Sequence, residues 1–241
     1  MKDYIQKSST EEIKARFDAD VERFSNLEMG QQTTLDARLV LDMITDSILR
    51  INPGTQTVLD LGCGAGNYTL TLLHKKAPLD CILVDLSQAM LDRAQQRISQ
   101  VNTGHITAIQ GDIRKLSLPD GSVDAIMAGA VLHHLRTDQE WKAVFSKLYA
   151  CLKPGGSLWI SDLVIHENPA LQELIYGTYY GNYLMGLKDA AYRDKVFDYI
   201  EREDTPRSLT YQLELLKQVG FNQTEVLHKH LCFATFGAIK S

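Results

Sequence analysis

The 241-residue sequence lacks the features that would place it among membrane, secreted or polyanion-binding proteins. It has no apolar run long enough to cross a bilayer and no apolar stretch near Met1 that would serve as a signal-peptide core. Its net charge of −5 provides no overall positive field that would attract nucleic acid, although a local basic patch could still bind it. We therefore expect a cytoplasmic protein with no membrane partner, and the sequence leaves a homodimer open.

Cysteine is scarce, and no two cysteines are close in sequence. Because there is no C-x-x-C pair, the pattern argues against a structural zinc site and against a secreted disulfide framework. We expect reduced thiols and no metal site. The four cysteines are Cys63, Cys81, Cys151 and Cys232. Apolar residues make up 44% and charged residues 23% of the chain, which is typical of a folded globular protein.

Helical and strand-like apolar patterns alternate along the middle of the chain. The strand candidates are Thr57 to Leu61, Cys81 to Val84, Ile106 to Gln110, Val123 to Ala128 and Ser157 to Ile160, with a turn over Lys153 to Gly156 before the last. Amphipathic helical segments lie between them. This alternation predicts a doubly wound α/β fold with a mostly parallel sheet and helices on both faces.

The two ends of the chain follow other patterns. Residues 1–52 predict two N-terminal helices, because apolar residues recur at helical spacing from Ile13 to Phe24 and from Leu35 to Ile48. The Tyr-rich stretch 168–206 predicts a helical cap inserted over the carboxyl edge of the sheet. Residues 225–231 and 232–239 predict an antiparallel hairpin. Since no internal repeat or linker interrupts the chain, we expect a single domain over residues 1–241.

A glycine cluster follows the first predicted strand. Gly62, Gly64 and Gly66 would let backbone approach a ligand, and the helix after them would offer free N–H groups. A dinucleotide fingerprint would need glycine where Asn67 stands, so a nicotinamide cofactor is disfavoured. Asp60 beside the loop would repel a pyrophosphate and attract an ammonium group. The loop therefore predicts a site for a zwitterionic amino acid.

Carboxylates follow the next two predicted strands. Asp85 lies 85 − 66 = 19 residues beyond the last glycine of the cluster, close to the spacing at which an acid binds ribose hydroxyls. Asp112 and Ile113 place a hydrogen-bond acceptor beside an aliphatic side chain, which suits adenine. Gly129 at the end of the fourth predicted strand would leave room for a ligand. All four residues are expected at one crevice.

Taken in order, these motifs resemble those of class I S-adenosylmethionine-dependent methyltransferases. Val58 to Gly66 resembles the first motif, Asp85 the ribose acid, Gly111 to Ile113 the adenine motif, and Leu152 to Gly156 the turn before the fifth strand. The resemblance implies a Rossmann-like sheet of seven strands, one of them antiparallel, with S-adenosylmethionine at the carboxyl ends. The implied cofactor-binding residues are Asp60, Gly62, Cys63, Gly64, Gly66, Asp85, Leu86, Asp112, Ile113 and Gly129.

The resemblance implies an enzyme that methylates a small or medium-sized acceptor. The layout is also similar to carboxy-S-adenosylmethionine synthases, which use an arginine from the helical insertion. Arg193, Arg202 and Arg207 lie in or near that segment without a clear match, and Gly129 stands where a polar residue is expected. A noncatalytic S-adenosylmethionine-binding protein is a third alternative.

Histidines supply the candidates for acid–base chemistry. His133 and His134 follow the fourth predicted strand, so either could be a general base, or one could pack while the other is solvated. His228 and His230 alternate with a lysine on a predicted strand, so both would lie on one face, too few for a metal site without further ligands. A group of cap tyrosines could line an acceptor pocket or simply pack: Tyr176, Tyr179, Tyr180, Tyr183 and Tyr192.

Overall fold

A seven-stranded sheet forms the centre of the computed structural model, which describes residues 7–26, 32–102 and 104–241. Strands β1 to β7 comprise Thr57–Leu61, Asp80–Asp85, Ile106–Gln110, Val123–Gly129, Leu152–Leu163, Gln223–His230 and Phe233–Ile239. Their order is β3-β2-β1-β4-β5-β7-β6, and β7 runs antiparallel to both of its neighbours. The predicted doubly wound sheet and its antiparallel C-terminal hairpin are confirmed.

The α-helices lie on both faces of this sheet and over its carboxyl edge. Helices α1 to α10 comprise Thr10–Ala19, Val21–Ser25, Ala37–Ile51, Asn67–Lys75, Gln88–Ile98, Asp138–Cys151, Pro169–Gln172, Gly181–Leu187, Ala190–Glu203 and Leu209–Gln218. Shorter turns of other helical types comprise Ile113–Lys115, Leu132–His134 and the π-helical Glu173–Tyr180. Helical structure thus occupies most of the segment predicted to cap the sheet.

The N-terminal helical pattern divides into more pieces than the sequence predicts. The apolar pattern before Asn26 is split into α1 and α2 by Asp20, whose backbone leaves the helical region at φ −109° and ψ 14°. Ser9 and Glu12 form a reciprocal capping box that starts α1. Residues 1–6 and 27–31 of the predicted N-terminal segment lie outside the described residues.

The turn predicted over Lys153 to Gly156 lies inside β5. Val123 of β4 pairs with Leu152, and after a register shift Ala125 pairs with Ser157. Gly155 takes a positive φ of 78°, which accommodates the extra residues in a bulge. The prediction of a separate turn was wrong because Lys240, directly after β7, pairs with this segment: Gly155 N–H donates to Lys240 O.

Two apolar clusters hold the helices against the two faces of the sheet. Helices α3, α4 and α5 bury Ile44, Leu72 and Leu91 on one face, and α6 and α10 bury Trp141 and Leu216 on the other. A smaller cluster lies beneath the cap, where the fully buried Tyr180 ring packs among Leu35, Leu163, Leu184 and Cys232. Within the described ranges, no helix is long and apolar enough to span a bilayer.

The pairing of β5 with β7 requires a residue without a side chain at position 237. Gly237 lies opposite Trp159, and a Cβ at this position would lie 2.3 Å from the Trp159 ring. We expect Gly237→Ala to reduce the free energy of unfolding by about 1–3 kcal/mol, because the ring and strand must shift. Urea unfolding measures this change.

Gly186→Ala is the matched control for that variant. Gly186 is exposed on α8 and a Cβ there would meet nothing within 4 Å. Alanine favours helix, so this variant is expected to be as stable as the native chain or more stable by up to about 1 kcal/mol. If Gly237→Ala were as stable as Gly186→Ala, the predicted clash with Trp159 would be wrong.

Candidate active site

A cavity of about 710 Å³ opens at the carboxyl ends of β1, β2 and β4. The glycine loop forms its floor, and α1, α2 and α9 contribute to the walls above it. This volume is in the usual range for a small-molecule site, and the carboxyl edge of a doubly wound sheet is where such sites form. Eight of the ten predicted cofactor residues line the cavity: Gly62, Cys63, Gly64, Asp85, Leu86, Asp112, Ile113 and Gly129.

The glycine loop has a backbone that only glycine adopts without strain. Gly62, Gly64 and Gly66 have φ angles of 67°, 49° and 81°. A Cβ on Gly62 would lie 2.5 Å from a methyl of Val131, so the loop also lacks space for a side chain there. Gly66 does not line the cavity but begins α4, so it positions the helix N-terminus.

Asp85 ties the glycine loop to the end of β2. Its carboxylate accepts hydrogen bonds from the Gly64 N–H and the Ser87 N–H, both at 2.8 Å. Burial raises the pKa of Asp85, whereas these two bonds and the nearby His134 favour its charged form. A buried carboxylate that still lines the cavity fits the predicted contact with ribose hydroxyls.

Asp112 is held by a cation at the end of β3. Arg114 Nε donates to both of its carboxylate oxygens at 2.9 Å, and a further nitrogen of Arg114 lies 3.0 Å from Glu140. Partial burial opposes the charged form of Asp112, but Arg114 outweighs it and lowers the pKa. The apolar Leu86 and Ile113 line the same wall, so the pair of features expected for adenine is brought together.

Asp60 lies beneath the loop rather than in the cavity wall. Only 1% of it is exposed, and its carboxylate accepts bonds from Thr69 Oγ1 at 2.6 Å and Thr69 N at 3.3 Å. Burial raises its pKa to about 6 against these hydrogen bonds. The predicted direct contact of Asp60 with a ligand ammonium therefore does not match its placement, since the carboxylate instead anchors the first turn of α4.

Tyr68 is a cavity residue that the sequence reasoning missed. A Cβ on Gly129 would lie 2.4 Å from the Tyr68 ring, so the glycine is needed for this aromatic side chain. Both residues line the cavity. The available signal was an aromatic residue directly after Asn67, in the first turn of the helix that the glycine loop begins.

His133 and His134 lie in a cluster with two buried carboxylates. His133 Nδ1 contacts Asp162 Oδ1, and its Nε2 lies 3.6 Å from Asp204 Oδ1. His134 Nδ1 lies 3.2 Å from the same Asp204 oxygen, and both histidines line the cavity. Burial opposes the charged form of His133, but Asp162 and Asp204 outweigh it and raise its pKa to about 9. His133 is therefore an imidazolium at neutral pH. His134 contacts only the Asp204 carboxylate of this pair.

The cap and α1 meet through an ion pair at the rim of the cavity. Arg16 donates to Glu203 at 2.7 Å and to the Tyr199 hydroxyl at 3.0 Å. Of the predicted tyrosines, Tyr180 and Tyr192 line the cavity, as does Tyr199, which the sequence analysis did not single out. The remaining tyrosines Tyr176, Tyr179 and Tyr183 are not among the lining residues.

Arg202 also lines the cavity, whereas Arg193 and Arg207 do not. Arg193 pairs with Asp194 and Arg207 with Asp138, both at 2.7 Å.

Comparison with known proteins agrees with this geometry. A sequence profile described as a methyltransferase domain matches residues 58–156, which run from the second residue of β1 to the first part of β5. A protein of Trichodesmium erythraeum named carboxy-S-adenosyl-L-methionine synthase is 31% identical over 187 residues, which cover 76% of this chain and 72% of that protein. The chain belongs to the class I S-adenosylmethionine-dependent methyltransferase family. The prediction of an S-adenosylmethionine-dependent enzyme is confirmed at this level.

Solved structures show the same fold at lower sequence identity. The cyclase SpnF has a TM-score of 0.65 at 14% identity, with 97% of both chains covered. Human N-acetylserotonin methyltransferase in complex with S-adenosylmethionine has a TM-score of 0.59 at 18% identity, covering 94% of this chain and 56% of that one. Further relatives of this methyltransferase-family chain, 25–29% identical, also carry the name carboxy-S-adenosyl-L-methionine synthase.

Removing the charge of Asp85 tests the assigned ribose contact. We expect Asp85→Asn to weaken S-adenosylmethionine binding by about 1–3 kcal/mol, because charge-assisted hydrogen bonds become neutral ones. Calorimetric titration measures the affinity. Asp92→Asn, at an exposed position of α5, is the control and should bind like the native chain. Native affinity in folded Asp85→Asn would refute the assignment.

The His133 cluster predicts a pH dependence of stability. Folding raises the His133 pKa from 6.5 to about 9, so its contribution is complete below pH 6.5 and is lost as the pH rises through about 9. The free energy of unfolding should fall by up to about 3 kcal/mol over this interval. Urea unfolding at several pH values measures the loss, and imidazole NMR assigns it. A His133 that deprotonates below pH 7 would contradict the prediction.

Proposed function

We propose that this chain transfers the methyl group of S-adenosylmethionine to a small acceptor, with His134 as the general base. The observation that carries the proposal is the placement of His134 between Asp204, 3.2 Å from its Nδ1, and the cavity that Asp85 and the glycine loop line. S-adenosylmethionine supplies an electrophilic methyl group on a sulfonium. The chain supplies orientation, exclusion of water and a site for the proton that the acceptor loses.

In this cluster His134 can act as a base, whereas the protonated His133 cannot. His134 Nδ1 lies 3.2 Å from Asp204 Oδ1, although the two atoms form no hydrogen bond. In the tautomer with its proton on Nδ1, Nε2 keeps its lone pair and can accept a proton from a hydroxyl or amine. His133 carries a positive charge between Asp162 and Asp204, and this charge holds the Asp204 carboxylate beside His134. Asp162 is fixed in turn by the Leu132 and His133 N–H groups at 2.9 and 3.1 Å.

The cap supports a small acceptor rather than a macromolecule. Tyr180, Tyr192 and Tyr199 lie above the cavity, and the Arg16–Glu203 pair joins α1 to α9 at its rim. These contacts enclose a space in which the acceptor would be shielded from water. A cytoplasmic location stays a prediction from the sequence.

Substitution of His134 tests the proposal. A panel of phenols, alcohols, amines and carboxylic acids is incubated with the protein and S-adenosylmethionine, and mass spectrometry detects S-adenosylhomocysteine and methylated product. With an acceptor found, His134→Gln should reduce kcat by about 10²–10⁴ and leave cofactor affinity within a few fold. His105→Gln, at an exposed position after α5, should retain native kcat. Undiminished turnover in His134→Gln would exclude the general base.

Carboxylation of the cofactor is the second candidate. The names of the relatives favour it, and so does the position of two cap cations, Lys195 and Arg202, along the cavity. Either cation could hold an added carboxylate of the cofactor. A second incubation that adds carboxylic acids able to release CO2 distinguishes the two reactions. The sulfonium methyl carbon would lose a proton and bond to the released CO2, while the donor would take up a proton where its carboxyl group was. Mass spectrometry would then show a cofactor heavier by the mass of CO2 and no methylated acceptor. Arg202→Gln should then impair it, whereas His134→Gln should not.

A further inference from the structure

Three potential metal ligands converge at the edge of the sheet, outside the cavity. His228 and His230 lie on one face near the end of β6, and Asp36 stands directly before α3. His228 Nε2 lies 2.8 Å and His230 Nδ1 lies 2.7 Å from the same oxygen, Asp36 Oδ2. All three ligand atoms lie within 4.8 Å of one another. The structure thus supplies the third ligand that the sequence pattern of two histidines lacked.

The neighbouring groups leave the Asp36 carboxylate to the two histidines. An aspartate before a helix usually accepts from the first free N–H groups, but the Asp36 carboxylate makes no such cap and turns to the histidines. Lys229, between the two histidines, extends instead to the Leu231 carbonyl at 2.8 Å and to His166 at 3.3 Å. Its charge therefore does not occupy the space that the three ligands share.

We propose that Asp36, His228 and His230 bind a divalent transition-metal ion of the zinc type. Two imidazole nitrogens and one carboxylate oxygen are a common ligand set for such ions, whereas magnesium and calcium prefer oxygen ligands. The His230 side chain is 47% exposed, so water can complete the coordination. The site is independent of the proposed methyl transfer.

The position of the site gives the metal a structural role. Thr33 and Thr34, just before Asp36, line the cavity, and the Tyr180 hydroxyl donates to the Thr33 carbonyl at 2.8 Å. The Tyr183 hydroxyl likewise donates to the Gln32 carbonyl at 2.8 Å. A metal at Asp36 would hold this segment against β6 and thereby support the cap from its outer side.

A second cluster needs to be distinguished in any binding experiment. In the described part of the chain, His133, His134 and Asp204 also bring three ligand atoms together. His133 is already held by Asp162, and its positive charge opposes binding of a cation. We therefore expect the metal at the edge of the sheet and not in the cavity.

Calorimetric titration of the full chain, without a polyhistidine tag, tests the proposal with Zn²⁺. We expect one equivalent to bind and the melting temperature to rise, because the ion binds the folded state. Asp36→Ala and the double variant His228→Ala/His230→Ala should each weaken binding by at least about tenfold, the cost that even an outer-shell change produces. Mg²⁺ should not bind in the same range. Co²⁺ substitution should give visible absorption bands that these variants lose.

His74→Ala/His105→Ala is the matched control, because both histidines are exposed and lie away from the cluster. This variant should bind Zn²⁺ as the native chain does. Absence of stoichiometric binding by the native chain would overturn the proposal. So would native affinity in folded His228→Ala/His230→Ala, and loss of binding in His134→Ala would place the ion in the cavity instead.

Discussion

The parallel pairing of β1 with β2 on one side and β4 on the other is the constraint on which the site depends. Because these three strands run in one direction, the glycine loop after Leu61, the carboxylate of Asp85 and the glycine at position 129 all reach the same edge. The bond from Gly64 N–H to Asp85 then fixes the loop against β2. A shift in register between these strands would separate the groups that line the cavity.

The carboxylates around the cavity differ in how their charge is compensated. Asp85 relies on backbone N–H groups, Asp112 on Arg114, and Asp162 on the imidazolium of His133. The three environments therefore differ. Asp85 can still accept hydrogen bonds at the cavity, Asp112 is an oriented acceptor beside an apolar wall, and Asp162 supports the segment that carries His134. The proposed base chemistry depends on the histidine cluster, in which His133 and His134 lie beside the same Asp204 carboxylate.

The fold alone does not identify the reaction, because proteins named for different reactions share it. A structural neighbour that covers 97% of this chain is named as a cyclase, another is a methyltransferase, and the closer relatives in sequence are named as synthases of a carboxylated cofactor. These proteins share the sheet. Reactions on one fold are distinguished by the groups that line the site, and this cavity is lined by His134, Asp204, Lys195 and Arg202. The two proposed activities use different members of that set.

The sequence by itself determined the α/β alternation, the C-terminal hairpin and most of the residues at the cofactor edge. These features depend on periodicity and on short spacings, and residues that follow parallel strands meet at one edge without further information. Only the tertiary structure decided that Asp60 lies under the loop, that Tyr68 fills the space at Gly129, and that β5 begins before its glycines. It alone brought Asp204 to His134, and Asp36 to His228 and His230 across 192 and 194 positions of sequence. Such contacts depend on how the cap and the edge strand pack against distant segments, which no local pattern encodes.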